Sequence, residues 1–168
     1  LTIPLIERAG TGMEARYFNT VVLADPDGKL VGHYRKLSPW PYPEQSWATP
    51  GDLGVEVVET PYGRVGLAIC FDVHTVFELY AAEDLWTLLY PIAWVDEEHP
   101  APWFWHTLPE QLATRTYNVV GANWSVDAPQ PWQGYGFSTI YGPGGTVLST
   151  ARSLYGDEVV FGDLVVGE

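Results

Sequence analysis

A run of apolar residues at positions 65–69 places the strongest constraint on how this chain folds. Apart from one glycine, the run consists of valine, leucine, alanine and isoleucine, and it ends at the chain's single cysteine, Cys70. A continuous apolar run of this length is typical of a strand that is covered on both faces. Residues 86–92 have the same character. The two runs therefore favour a layered α/β fold, because both faces of such strands need a covering layer.

Turn residues between these runs predict a mixed order of strands and helices. Enrichment in β-branched and aromatic residues predicts strands at 3–6, 18–23, 30–34, 55–60, 65–70, 86–92, 117–122, 137–141, 146–149 and 159–165. Helices are predicted at 77–85 and 109–116. Four prolines within residues 38–51 indicate an ordered loop rather than a helix or strand. Loops of this length often carry functional residues.

Composition and charge narrow the class of protein. A length of 168 residues with 46% hydrophobic and 17% charged residues suits one globular domain spanning 1–168. A net charge of -13 disfavours nucleic acid and anionic membranes as partners and leaves a small molecule or a protein. One cysteine cannot form an internal disulfide or a thiolate zinc site. We therefore expect a cytoplasmic protein without a membrane-spanning helix.

Cys70 is a candidate nucleophile because it stands where an apolar strand stops. A sharp strand exit exposes the sulfur, and the backbone N–H of Phe71 is then available to a developing oxyanion. The alternative is an inert buried thiol, which is the usual state of a lone cysteine on an apolar strand. The cysteine alone favours that alternative, since reactive thiols lie in electropositive, accessible surroundings.

Lys36 and Glu44 supply the groups that such a thiol needs. Lys36 follows the strand predicted at 30–34, and Glu44 lies eight residues further on, in the proline-rich loop. An ammonium near Cys70 would favour the thiolate and stabilise a negatively charged intermediate. Glu44 would hold the lysine or assist proton transfer. Taken singly, each residue is more often a solvated surface charge.

Several ordered motifs together resemble the nitrilase superfamily of carbon–nitrogen hydrolases. They are Tyr34-Arg35-Lys36, Glu44, Pro50-Gly51, the block GRVGLAICFD at 63–72 and the block GFSTIYGPGG at 136–145. The segment 19–28 resembles the strand and turn that precede the family's lysine. Within the family, Cys70-Phe71-Asp72 with His74, Ala93-Trp94 and 118–123 is similar to the branch of biotinidase and the vanin pantetheinases.

The resemblance implies a fold, a reaction and a set of residues. The implied fold is an α-β-β-α sandwich, and the implied reaction is hydrolysis of a non-peptide amide through a cysteine thioester. Cys70 would attack the carbonyl, Lys36 and the Phe71 N–H would bind the oxyanion, and Glu44, the third candidate catalytic residue, would hold the lysine or assist proton transfer. Apart from the resemblance, Tyr42, Trp94 and the loop 100–105 are candidates, with Phe71, to contact the amide substrate, because specificity in such a pocket comes from a few loop side chains. No metal and no organic cofactor is implied.

The family's general-base glutamate normally precedes the lysine by a long stretch, and no glutamate of this chain matches it. Glu7 resembles a later, non-catalytic position. We therefore expect that the sandwich lacks its N-terminal strands and helix, and that this chain alone is inactive. The uncovered strand edge would favour aggregation or homo-oligomers.

Two other classes of function compete with this interpretation. Abundant aromatic residues would suit a carbohydrate-binding module, with Trp103, Trp105, Trp124 and Trp132 as stacking platforms, although aromatic side chains more often fill a core or a pocket wall. A metal site would use imidazole and carboxylate ligands. Its candidates are His74, His99, His106, Asp72 and Asp96, but their spacing matches no metal-binding motif.

Overall fold

The computed structural model describes residues 1–94, 103–125, 136–152 and 156–166, and the chain divides into two units, Leu1–Glu83 and Asp84–Glu168. The expectation of one domain spanning 1–168 stays a prediction. Within the described ranges, no helix is long and apolar enough to cross a membrane.

The first unit begins with a three-stranded antiparallel sheet, in the order β1-β2-β3. The strands are β1 (Thr2–Ala9), β2 (Arg16–Ala24) and β3 (Leu30–Arg35). The turn between β2 and β3 forms because the Asp25 side chain accepts hydrogen bonds from the backbone N–H groups of Asp27 and Lys29. The strands and the turn predicted from the sequence are confirmed here, with β1 and β2 longer than expected.

A hairpin of β4 (Val57–Thr60) and β5 (Gly63–Leu67) follows in the same unit. The strand predicted at 65–70 ends early, because a 3₁₀ turn begins at Cys70 and is followed by the short helix α1 (Val76–Leu79). The helix predicted at 77–85 is wrong beyond Leu79. The Tyr80 hydroxyl bonds to the backbone of Glu56 and Leu67, which fixes the chain in a turn where the helix would otherwise continue.

The second unit contains four paired strands in the order β6-β7-β8-β9. They are β6 (Thr87–Ile92), β7 (Asn118–Asn123), β8 (Thr139–Tyr141) and β9 (Val147–Thr150). Among the three pairs that these strands form, β6–β7 is parallel and the other two are antiparallel. A π-helical turn, Trp103–Thr107, leads into α2 (Leu108–Leu112), shorter than the helix predicted at 109–116. The apolar β6 is largely buried, as expected for a strand covered on both faces.

The strand predicted at 159–165 is not formed. Residues 156–166 lie outside the sheet, and the segment is attached through side chains instead. The Asn118 side chain donates to the Val165 carbonyl at 2.8 Å and accepts from the Val165 N–H at 2.9 Å, and Trp86 donates to the same carbonyl. One asparagine thus takes the place of a neighbouring strand's backbone.

Candidate active site

Lys36 is buried at the end of β3. Its backbone N–H continues the ladder with a 2.8 Å bond to the Asn19 carbonyl, and its side chain is 2% exposed. A lysine ammonium is almost never buried to this degree without a partner. Here the partner is Glu44, whose Oε2 forms an ion pair with the Lys36 Nζ.

Glu44 opens a 3₁₀ turn, Glu44–Ser46, inside the proline-rich loop. Besides Lys36, its carboxylate accepts hydrogen bonds from the Asn19 side-chain amide and the Trp40 backbone N–H, both at 2.7 Å. Three donors from two strands and the loop thus converge on one buried carboxylate. Such satisfaction is what allows a charge to remain in a low-dielectric site.

The proline-rich loop closes tightly over the backbone of Lys36. The Gly51 N–H donates to the Lys36 carbonyl at 2.8 Å. A Cβ atom on Gly51 would lie 2.1 Å from the Arg35 carbonyl oxygen and 2.9 Å from that of Lys36. Only glycine fits at this approach, which gives the Pro50-Gly51 pair a steric reason.

Cys70 is the first residue of the 3₁₀ turn that ends β5, and it is half-buried. Its φ of 46° lies in the left-handed region. This conformation costs a residue with a side chain about 1 to 3 kcal/mol and persists only where the surroundings hold it. The turn therefore needs other contacts to stay in place.

Asp72 provides such contacts and is fully buried. Its Oδ2 accepts hydrogen bonds from the Tyr34 hydroxyl at 2.8 Å and the Ile69 N–H at 3.0 Å, and its Oδ1 accepts one from the Ser38 N–H at 2.8 Å. Burial raises the pKa of Asp72 to about 6, while these hydrogen bonds and the Lys36 ammonium act in the opposite direction.

The sequence identified Asp72 only as a metal-ligand candidate and missed this role. One local signal for it exists, since an acidic residue three positions after a helix cap can bond back to the cap's N–H, as Asp72 does to Ile69. Its contacts with Tyr34 and Ser38 join segments more than thirty residues apart in sequence, and no spacing rule predicts them.

Glu7 belongs to a different face of the first sheet. It pairs with Arg35 and also accepts hydrogen bonds from His33 at 2.8 Å and Thr20 at 2.9 Å. The Arg35 hydrogen bond is the main reason why the pKa of Glu7 falls to about 2. Adjacent residues of a strand point to opposite faces, so the partner of Arg35 is separated from the side chain of Lys36.

The three residues predicted to contact substrate differ in their surroundings. Tyr42 lies in the proline-rich loop and its side chain is largely exposed. Phe71, in the Cys70 turn, packs its ring against His74 with the centroids 4.5 Å apart. Trp94 belongs to the second unit, where its N–H donates to the Asn123 side chain at 3.0 Å and its carbonyl accepts from Trp124 Nε1 at 3.1 Å.

The structure gives no support to the two competing interpretations. Within the described parts of the chain, no group of three or more histidine, cysteine, aspartate or glutamate side chains is arranged to hold a metal ion. Two of the metal candidates, Asp96 and His99, lie outside the described residues. The Trp105 ring packs edge-on against Phe137 at 5.0 Å, so it is at least partly a packing residue. Trp132 and the side chain of Trp103 are not among the described parts.

Comparison with known proteins identifies the class to which this fold and this arrangement of residues belong. The family model of carbon-nitrogen hydrolases matches residues 1–168. The chain therefore belongs to the carbon-nitrogen hydrolase family, the nitrilase superfamily.

Two curated relatives are omega-amidases. That of Homo sapiens is 29% identical over 159 residues, which is 89% of this chain and 56% of the relative. That of Xenopus tropicalis is 30% identical over 148 residues, which is 82% of this chain and 53% of the relative. The chain thus spans about half the length of these relatives. They are not biotinidases or vanin pantetheinases, so they do not support the resemblance to that branch of the family.

Solved structures show the same fold. A carbon-nitrogen hydrolase from Helicobacter pylori G27 superposes with a TM-score of 0.82 at 24% identity, covering 98% of this chain and 61% of its own. The amidase from Nesterenkonia sp. AN1, in a variant complexed with acrylamide, gives a TM-score of 0.78 at 20% identity, and the match covers 92% of this chain and 58% of the amidase. The α/β nitrilase-like fold expected from the sequence is therefore confirmed.

Proposed function

We propose that this chain carries the nucleophile and the lysine of an amidase, with Cys70 attacking the carbonyl carbon of a small amide. The observation that carries the proposal is the link between two segments. One contains the buried Lys36–Glu44 ion pair at the end of β3, and the other contains the left-handed turn at Cys70. Both segments donate backbone hydrogen bonds to the carboxylate of Asp72. An ammonium held near such a strained, half-buried thiol would favour the thiolate.

The proposed reaction has two balanced steps. The Cys70 thiolate forms a bond to the amide carbon, the carbon–nitrogen bond breaks, and the nitrogen leaves as amine or ammonia with the proton that the thiol gave up. Water then adds to the thioester, the carbon–sulfur bond breaks, and a carboxylic acid is released with the thiol restored. Lys36 would stabilise the oxyanion in both steps. The Phe71 N–H is the second donor, since the first N–H groups of a helical turn have no partner within it.

Glu44 is proposed to hold Lys36 rather than to transfer protons. Its carboxylate already accepts from Lys36, Asn19 and Trp40. A general base needs an oxygen that can approach the proton it removes, and here the hydrogen bonds occupy both oxygens. Glu7 is likewise engaged by Arg35 and His33. Neither carboxylate is therefore proposed as the base.

The substrate is proposed to be a small primary amide. The omega-amidases among the relatives, and a formamidase from Bacillus cereus that is 41% identical over 69 residues, favour amides over nitriles. In the first unit, Tyr42 and Phe71 are the residues proposed to contact it; the contact of Trp94 stays a prediction from the sequence. A panel of short aliphatic amides, omega-amides, pantetheine and a nitrile, assayed by ammonia release or thiol release, would rank these candidates.

The direct test of the proposal is the rate at which iodoacetamide alkylates Cys70 in the folded chain. Replacing Lys36 with methionine is expected to slow alkylation at pH 7 by about tenfold, the effect of moving thiolate formation by one pH unit. The matched control is Lys29→Met, because Lys29 is the chain's other lysine and lies exposed in the turn before β3. Intact-mass analysis of Cys70→Ser confirms the site of labelling.

The outcomes separate an enzyme from an inert thiol. Rapid labelling of the native chain that slows only in Lys36→Met supports the proposed pairing. Labelling that appears only in denaturant, or equal rates in both lysine variants, would contradict it. Fast labelling without hydrolysis of any amide would mean that the chain holds a reactive cysteine but does not complete turnover.

A further inference from the structure

One buried carboxylate connects the two segments that carry the proposed nucleophile and lysine. Asp72 accepts hydrogen bonds from Ile69, which immediately precedes Cys70. It also accepts from Tyr34 and Ser38, which lie two residues before and two residues after Lys36. The three donors lie at 2.8 to 3.0 Å, which is strong hydrogen-bond geometry. Each segment is therefore held on either side of its functional residue.

The same carboxylate closes the turn around Cys70. Its Oδ2 accepts from the Ile69 N–H, while the Asp72 N–H donates to the Ile69 carbonyl at 3.0 Å. The two bonds form a short ring that contains Cys70 and opposes relaxation of its φ of 46°. A strained residue stays in place only when neighbouring contacts determine its conformation.

A second contact reinforces the connection on the other side of Asp72. The Thr75 N–H donates to the Asp72 carbonyl at 2.9 Å. The Thr75 hydroxyl in turn lies 2.9 Å from the Ser38 hydroxyl. Ser38 is thus bound through both its N–H and its hydroxyl to the segment that follows Cys70, and the loop after Lys36 has little freedom to move away from that segment.

We propose that Asp72 is a positioning residue, whose carboxylate fixes the Cys70 turn against the end of β3 and so sets the separation between Cys70 and Lys36. This rests on the proposed function, because a separation matters only if the two residues act together. Asp72 does not touch the reacting atoms in this proposal. It acts by holding the backbone on which both side chains are mounted.

The chemistry of the site explains why an aspartate suits this position better than an asparagine. All three partners are donors, and burial with the adjacent carboxylate keeps the Tyr34 hydroxyl protonated by raising its pKa. A carboxylate accepts from all three. An asparagine would keep one oxygen and turn an NH₂ group toward a backbone N–H, most simply that of Ser38, where two donors cannot bond. Asp72→Asn is therefore expected to lose the Ser38 bond and to weaken the Tyr34 bond, which is no longer charge-assisted, so that the Lys36 side of the connection loosens.

The charged groups around the carboxylate set the conditions of the test. The Lys36 ammonium lies close enough to lower the pKa of Asp72. Lys36 itself is paired with Glu44. Burial lowers the pKa of His74, which lies in the same turn. Measurements at pH 7 to 9, above the Asp72 pKa of about 6, therefore keep the Asp72 carboxylate ionised.

The experiment is a double-mutant cycle read out by iodoacetamide alkylation of Cys70 in the 168-residue chain. It uses wild type, Lys36→Met, Asp72→Asn and the double variant, with rates measured across that pH range. Lys36→Met is expected to slow alkylation by about tenfold at pH 7 in the wild-type background. In the Asp72→Asn background it is expected to change the rate by less than about twofold, since the lysine no longer lies in place.

Two further variants keep the test decisive. Asp52→Asn makes the same chemical change in a carboxylate that pairs with Arg35, on the opposite face of β3 from Lys36, and is expected to leave the lysine dependence intact. Tyr34→Phe removes one donor but keeps the Asp72 carboxylate, and is expected to weaken the lysine dependence partially. If circular dichroism shows that Asp72→Asn is not folded, the same double-mutant cycle with Tyr34→Phe in place of Asp72→Asn tests the inference.

The results distinguish this inference from the proposed function. If Lys36→Met slows alkylation about equally in the wild-type and Asp72→Asn backgrounds, Asp72 is only a stability residue and the inference is overturned while the proposed function stands. If Lys36→Met has no effect even in the wild type, the pairing of lysine and cysteine is itself wrong and both fail. Loss of the lysine dependence in folded Asp72→Asn, with Asp52→Asn unaffected, supports the inference.

Discussion

Neutralising Glu44 should destabilise the first unit more than any comparable change at the surface. In Glu44→Gln, the side-chain oxygen can keep the bonds to Lys36 and Trp40, and Asn19 can rotate its amide to present an oxygen to the new NH₂ group. The hydrogen bonds are then conserved and only the negative charge is lost. The variant therefore isolates the cost of removing the negative charge that is paired with the ammonium, which is 2% exposed.

The size of the effect follows from that comparison. Breaking a buried ion pair by removing one partner costs about 3 to 5 kcal/mol. Retaining a hydrogen bond to the ammonium recovers about 1 kcal/mol of this. The expected loss is about 2 to 4 kcal/mol of unfolding free energy, or a fall of very roughly 4 to 16 °C in Tm for a chain of this size.

The assay is urea denaturation at pH 7 followed by tryptophan fluorescence. The matched control is Glu59→Gln, whose carboxylate pairs with Arg64 but is 77% exposed, and it should change stability by less than about 1 kcal/mol. The double variant Lys36→Met/Glu44→Gln should be more stable than Glu44→Gln alone, because the unpaired ammonium is gone. A double variant that is less stable than Glu44→Gln, or a Glu44→Gln loss no larger than the control's, would refute this account of the buried pair.

Two further predictions concern the surroundings of the site. Gly51→Ala should lower the unfolding free energy by about 1 to 3 kcal/mol in the same urea assay, because the new methyl group meets the Arg35 carbonyl oxygen and the loop must shift. Glu7→Gln should be less stable than wild type above about pH 5, where the folded-state pKa of about 2 and the ordinary value of 4.5 both leave Glu7 ionised. That difference should shrink as the pH falls from 4.5 toward 2, and a difference independent of pH would contradict the ion-pair explanation.

Much of the fold could be predicted from local patterns in the sequence. The strands at 18–23 and 30–34 and the turn between them lie where β-forming residues and turn chemistry predict them. The failures were at 77–85 and 159–165, where the residues suit a helix and a strand. In both places one long-range side-chain contact decides the outcome: Tyr80 bonds to the backbone of β5, and Asn118 bonds to the backbone of Val165. Periodicity contains no information about such contacts.

The candidate site shows the same limit. Cys70, Lys36 and Glu44 could be named because the order of motifs resembled a family, whereas spacing alone left each as an ordinary thiol or surface charge. The contact between Lys36 and Glu44 is an observation of the structure. The functions of Asn19 and Asp72 in holding these residues could not be read from the sequence, since each bridges segments brought together only by folding.

The alternation of β3 separates the ion-pair cluster around Glu7 from the candidate active site. His33 and Arg35 point to the face where Glu7 gathers them into an ion-pair cluster. Tyr34, and Lys36 just beyond the strand, point to the other face, toward Asp72 and Glu44. Because neighbouring side chains of a strand lie on opposite faces, a change on one face reaches the other only through the backbone. Substitutions of Glu7 should therefore lower stability and leave Cys70 alkylation in the folded chain unchanged, whereas those of Asp72 should alter that reactivity.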